Sequence, residues 1–200
     1  MLVELFTSQG CSSCPPADAT LTKLALRDDV VALSFHVDYW DNLGWKDPFA
    51  SGAHTRRQRD YAKAFGNRSV YTPQMVFDGR LEGAVQSDGA AVDMLDRLGV
   101  RRPTAGPIRL TRNGETISIA MAALPPGGEI WAAAFQRDAS TNVPRGENAG
   151  RRLANINIVR KFERLDPAAN LIWPGVDPGH GVAVWCQDAN LGTVRAVTAI

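Results

Sequence analysis

Cys11 and Cys14, separated only by Ser12 and Ser13, follow a short apolar segment, Leu2-Val3-Glu4-Leu5-Phe6, and precede a stretch of helical periodicity. Two thiols at this spacing can form, break and exchange a disulfide, or offer two soft ligands to a metal ion. Only the thiolate attacks a disulfide, and the unpaired N–H groups and dipole at a helix start favour it. Cys11, beside the turn Thr7-Ser8-Gln9-Gly10, is expected to be the exposed nucleophile, with Cys14 the partly buried partner that resolves the mixed disulfide. Pro15 and Pro16 carry no N–H, so the regular helix should begin only after Cys14, which tempers the dipole at Cys11. The third cysteine, Cys186, lies among Val182, Val184 and Trp185 and reads as an inert buried thiol.

The elements that must hold this pair are legible in order. Leu2 to Phe6 reads as a strand, and Leu21, Leu24 and Ala25 place one apolar face on a helix from about Pro16 to Leu26. Val30 to Val37 is almost continuously apolar, as for a parallel strand buried on both faces, so Leu2 to Val37 forms a βαβ unit. His36, Asp38, Tyr39, Trp40 and Trp45 then fall at or beyond the carboxyl end of this second strand, where α/β folds gather their sites. They are expected to surround the CxxC. His36 or Asp38 would move a proton between the cysteines; the alternative is a core histidine and an aspartate that holds the loop. Trp40 and Trp45 read as packing residues, with substrate contact as the alternative.

A helix follows from about His54 to Phe65, whose Arg56, Arg57, Arg59 and Lys63 read as a solvated face. Met75 to Phe77, the turn Asp78-Gly79 and Arg80 to Ala84 form a hairpin, and a helix capped by Ser87 ends at Leu98. Thr72-Pro73 stands just before the hairpin. Strand, helix, strand, helix, proline, hairpin, helix is the thioredoxin order, in which that proline is cis and lies against the CxxC. Thr72 would then offer a substrate peptide its backbone, and Pro73 would shape the site.

Residues 101–107 are Pro- and Gly-rich and read as a linker between residues 1–100 and a β-rich domain, residues 108–200. In that second part Ile108 to Leu110 and Thr116 to Ala120 flank the hairpin signal Asn113-Gly114. Ile130 to Phe135, Gly181 to Gln187 and Thr193 to Ile200 read as further strands, while Asn155 to Phe162 fits strand or helix. The expected fold is α/β plus β, a thioredoxin-like domain followed by a β-sandwich-like domain. The turn-rich Gly146-Glu147-Asn148-Ala149-Gly150 either contacts the first domain or a ligand, or is a structural turn.

The run from Val3 to Asp18, including Cys11-Ser12-Ser13-Cys14-Pro15-Pro16-Ala17-Asp18, together with His36 to Trp40, Leu43-Gly44-Trp45 and Val70 to Gln74, resembles a family of bacterial thioredoxin-like proteins of unknown function. Arg145 to Arg151 extends the resemblance into the second half. It implies a thioredoxin-like domain with a β-rich C-terminal extension, implies no substrate, and is often accompanied by a secretory leader.

The 200 residues carry 22 Lys and Arg against 21 Asp and Glu, a net charge of +1, which provides no field for nucleic acid or an anionic membrane. No apolar stretch is long enough to span a bilayer, and no signal peptide is visible, so the chain as it stands reads as cytoplasmic, or as periplasmic or secreted if a leader has been removed. The expected activity is thiol–disulfide exchange without a cofactor, on a disulfide- or thiol-bearing protein or a small thiol. Two rivals are a redox-inert binding module and a zinc or copper site in which Cys186 with His36, His54 or His180 joins the pair.

Overall fold

The computed structural model describes residues 1–99, 108–121, 127–166 and 171–200. The expected linker 101–107 lies outside them. Strands β1 (Leu2–Thr7) and β2 (Val31–His36) pair in parallel, Thr7 opposite His36, and α1 (Pro15–Leu24) crosses between them. The apolar run of β2 is buried on both sides: Leu33 and Phe35 face one cluster and Ala32 faces another. β3 (Gln74–Phe77) lies antiparallel to β1 and turns through Asp78 and Gly79 into β4 (Leu81–Gly83).

α2 (Gly52–Phe65) starts where the Ser51 hydroxyl accepts the Ala53 N–H, and α3 (Asp88–Leu98) starts where Ser87 accepts that of Ala90. Tyr61 of α2 packs with Phe6 and Phe35 on one face of the sheet, whereas Leu21 of α1 and Leu95 of α3 pack with Val3 and Leu5 on the other.

The second half departs from the expected separate sandwich. β7 (Gly128–Asn142), β8 (Arg152–Leu165), β10 (Gly181–Asp188) and β11 (Val194–Ala199) join the first four strands in one eight-stranded sheet, ordered β11-β10-β7-β8-β2-β1-β3-β4. The join is β8 beside β2, parallel, with Ser34 opposite Ile158 and the Asn157 amide donating to the Ala32 carbonyl at 2.9 Å. An apolar strand such as β2 leaves costly unpaired groups if its edge is open, and β8 covers that edge. The ambiguous Asn155 to Phe162 is therefore strand.

A second layer does exist. β5 (Ile108–Asn113), β6 (Thr116–Met121) and β9 (Ile172–Trp173) form a three-stranded sheet, and Ile117 and Trp173 pack on Ile130 and Val184 of the large one.

One residue of the basic helix is not solvated. Arg57 is 3 % exposed; its Nε donates to Glu4 Oε1 at 2.5 Å, and its Nη2 donates to Glu4 Oε2, the Tyr61 hydroxyl and Gln187 Oε1. The guanidinium carbon lies 4.9 Å from the Trp131 ring centre and 5.1 Å from that of Phe162. A buried guanidinium needs its charge answered, and Glu4 in mid-strand, which no apolar pattern explains, provides that. Arg56, Arg59 and Lys63 remain exposed as expected. Among the described residues, no helix is long and apolar enough to cross a membrane.

Candidate functional site

The chain leaves β1, turns through Ser8 to Gly10, and enters α1 at Cys14, with the Cys11 N–H on the Ser8 carbonyl and the Cys14 N–H on that of Cys11. Pro15 and Pro16 occupy the first helical positions, so the first N–H groups available are those of Ala17 and Asp18, both directed to the Cys14 carbonyl. Cys11 and Cys14 are joined as a disulfide, their Cα atoms 5.5 Å apart.

The peptide between Thr72 and Pro73 is cis. The Thr72 carbonyl oxygen lies 3.8 Å from Cys11 Sγ and 3.5 Å from the Ser13 hydroxyl, which is itself 3.3 Å from that sulfur. The Trp40 indole donates to Thr72 Oγ1 at 2.8 Å, and the Gln58 amide donates to the Tyr71 carbonyl and to Gln74. Tyr39 is half-buried near Thr72 and Gln58, where burial pushes its hydroxyl pKa up. Trp40 and Gln58 thus orient the segment that faces the sulfurs.

His36 is fully buried, its ring edge-on to Phe49. Its Nδ1 meets Asp47 Oδ2 at 2.7 Å; since the carboxylate accepts, Nδ1 carries the proton. Burial alone would raise the Asp47 pKa, but the hydrogen bond and charge of His36, with the N–H groups of Gln9 and Phe49, bring it below the usual carboxylate value. Asp38 looks the other way. Its Oδ1 accepts from the Thr55 hydroxyl at 2.6 Å, and its N–H donates back to that oxygen, so it fastens the start of α2. Trp45 donates from its indole to Gln9 Oε1 at 3.1 Å.

Asp18 was not among the expected site residues. It stands four residues after Cys14, so the two share one face of the helix. Its Oδ2 accepts from the Thr7 hydroxyl at 3.2 Å, with Asn155 and His36 nearby. At 8 % exposure, burial dominates and pushes its pKa up to about 7, against the lowering by His36, Thr7 and Asn155. The i, i+4 spacing after Cys14 was a usable signal for it. Asp47 carried no such signal, because only the loop from Asp38 onward brings it under His36.

Contrary to expectation, Cys11 is not exposed: it and Cys14 are both 0 % accessible. Part of the cover comes from the tip of the β7–β8 hairpin, residues 143–151. The Asn148 side-chain amide donates to both the Gln9 and Cys11 carbonyls at 2.9 Å, while its Oδ1 accepts from Arg151. Glu147 Oε2 accepts the Ser12 N–H at 2.9 Å, which holds its carboxyl below the usual value. Gly146, at φ +77°, sits where a Cβ would come 3.2 Å from that of Trp45, so the close approach needs glycine.

The residues that a metal reading would gather are engaged elsewhere. Cys186 is buried in β10, where burial raises its thiol pKa. His54 directs Nδ1 to the His36 carbonyl, and His180 lies in the turn before β10. Among the described residues, no group of three or more His, Cys, Asp or Glu side chains could hold a metal ion.

A family model described as a protein of unknown function (DUF1223) matches residues 2–174. A crystal structure of a protein from Agrobacterium tumefaciens, solved by structural genomics, is similar across 100 % of this chain and 92 % of its own, at 30 % identity and a TM-score of 0.74. No curated protein matches.

Proposed function

We propose that this chain, which belongs to the DUF1223 family, is a thiol–disulfide oxidoreductase with a thioredoxin-like active site. The observation that carries the reading is the Cys11–Cys14 disulfide at the strand-to-helix turn, facing the carbonyl that precedes a cis proline. In the reducing direction the Cys11 thiolate attacks a substrate disulfide, forming a mixed disulfide and releasing one substrate thiolate. Cys14 then attacks Cys11 Sγ, the internal disulfide forms, and the second substrate thiolate leaves. The oxidising direction is the reverse.

Cys14 must lose its proton to attack and regain it on reduction. Asp18, one helical turn away with a pKa pushed to about 7, is suited to hold that proton, and we assign it the role first expected of His36 or Asp38. His36, paired with Asp47, and Asp38, tied to Thr55, act on the scaffold. Thr72, Pro73, Tyr39, Trp40 and Trp45 would shape the approach of a thiol or disulfide partner to Cys11.

The second reading is a redox-inert binding module, favoured by the full burial of both cysteines. A redox titration of Cys11 and Cys14, coupled to reduction of a model disulfide protein, separates the two. Turnover by the wild type that is abolished in Cys11→Ser supports the enzyme; no turnover, or equal turnover by Cys11→Ser, leaves the binding module.

A further inference from the structure

The reaction above needs an incoming sulfur to reach Cys11, yet the tip of the β7–β8 hairpin lies across the CxxC turn. Three hydrogen bonds hold it there: Glu147 takes the Ser12 N–H, and the Asn148 amide serves the Gln9 and Cys11 carbonyls. The tip is itself well formed, with the Gly150 N–H on the Val143 carbonyl and the Arg151 N–H on that of Asn148. The β7–β8 ladder is irregular, its register shifting between Ala134 and Phe135, with Asn157 at φ +46°. Such bulges bend a ribbon.

What the tip offers the turn is the pattern of an extended backbone: one acceptor for an N–H and donors for two carbonyls. We infer that Glu147 and Asn148 are specificity-determining residues that occupy the place of a substrate strand, so that the thiols and disulfides admitted to Cys11 are those on an extended polypeptide able to replace these bonds. A small thiol brings no such replacement and reacts only when the tip lifts unaided. This inference rests on the oxidoreductase reading, but its exchange step can be followed without turnover. A substrate thiolate attacks Cys11 Sγ, the Cys11–Cys14 bond breaks, and Cys14 leaves as the thiolate.

The test is stoichiometric reduction of the oxidised chain by 2-mercaptoethanol and, separately, by an unstructured ten-residue peptide with one cysteine, followed by gel shift after alkylation. It is run on the wild type, Glu147→Ala and Asn148→Ala. Glu147 is exposed, so its substitution leaves the fold intact and keeps the test valid if Asn148→Ala unfolds. Removing a charge-assisted bond is expected to speed 2-mercaptoethanol about tenfold and the peptide much less, so that the peptide's advantage collapses. An unchanged 2-mercaptoethanol rate in Glu147→Ala, or equal acceleration of both reagents, overturns the inference. Faster reduction without turnover of a model disulfide protein by any variant would leave the cap standing and refute the oxidoreductase.

Discussion

Replacing Asp18 by Asn tests the central electrostatic claim, because it keeps the shape and an acceptor for the Thr7 hydroxyl while removing the titration. Moving the carboxyl from its ordinary 3.8 to about 7 corresponds to roughly 4 kcal/mol of penalty on the ionised form, at about 1.4 kcal/mol per pH unit. The folded chain therefore keeps this proton at pH values where the unfolded chain has lost it. The associated stability is fully present below pH 3.8, declines as the pH rises toward about 7, and is gone above it. Asp18→Asn should match the wild type near pH 4 and exceed it by up to roughly 4 kcal/mol at pH 8. With a denaturant slope of ~2 kcal/mol/M, the urea midpoint at pH 8 rises by about 2 M. Urea unfolding of the oxidised protein at unit steps from pH 4 to 8 reads this directly. Parallel pH profiles for the two proteins, or a less stable Asp18→Asn at pH 8, would refute the assignment of a buried, proton-holding carboxyl. The same substitution should slow disulfide turnover if Asp18 serves Cys14.

His54 has the opposite sign: burial brings its pKa from 6.5 down to about 4, so its contribution is present above pH 6.5 and lost as the pH falls toward 4. His54→Gln should lack this contribution, so between pH 6.5 and 4 its stability should rise relative to that of the wild type by roughly 3 kcal/mol in the same urea series. Glu4→Gln leaves the Arg57 guanidinium buried without its counter-charge and should destabilise by about 3–5 kcal/mol, seen as a lower urea midpoint at pH 7. At Gly181 an added Cβ would sit 2.3 Å from the Phe135 ring, so Gly181→Ala should cost about 1–3 kcal/mol; a change within 0.5 kcal/mol would show that the ring moves aside freely.

The first hundred residues were legible because their instructions are local. The apolar run at Val30 to Val37, the stripe at Leu21 and Leu24 and the turn at Asp78-Gly79 each act over a few residues, and they appear as β2, α1 and the β3–β4 hairpin. The placement of CxxC between strand and helix, and of Thr72-Pro73 ahead of β3, followed from that order. Arg57 does not stand out in the sequence because it shares its helix with Arg56, Arg59 and Lys63, which are exposed, while its partner Glu4 is 53 residues away.

What tertiary structure alone decided lies farther apart in the chain. The second half reads as strands in any arrangement, and nothing in the period of β8 says that it will lie beside β2 rather than close a separate sandwich. That choice follows from the open edge of β2, a property of the assembled sheet. It carries the hairpin tip to the turn at Cys11, where Asn148 closes over a residue 137 positions away. The chemistry available to the cysteines was written in a four-residue motif. Their access to a partner depends on hydrogen bonds between segments that share no local signal, because burial and strand edges exist only once the sheet has formed.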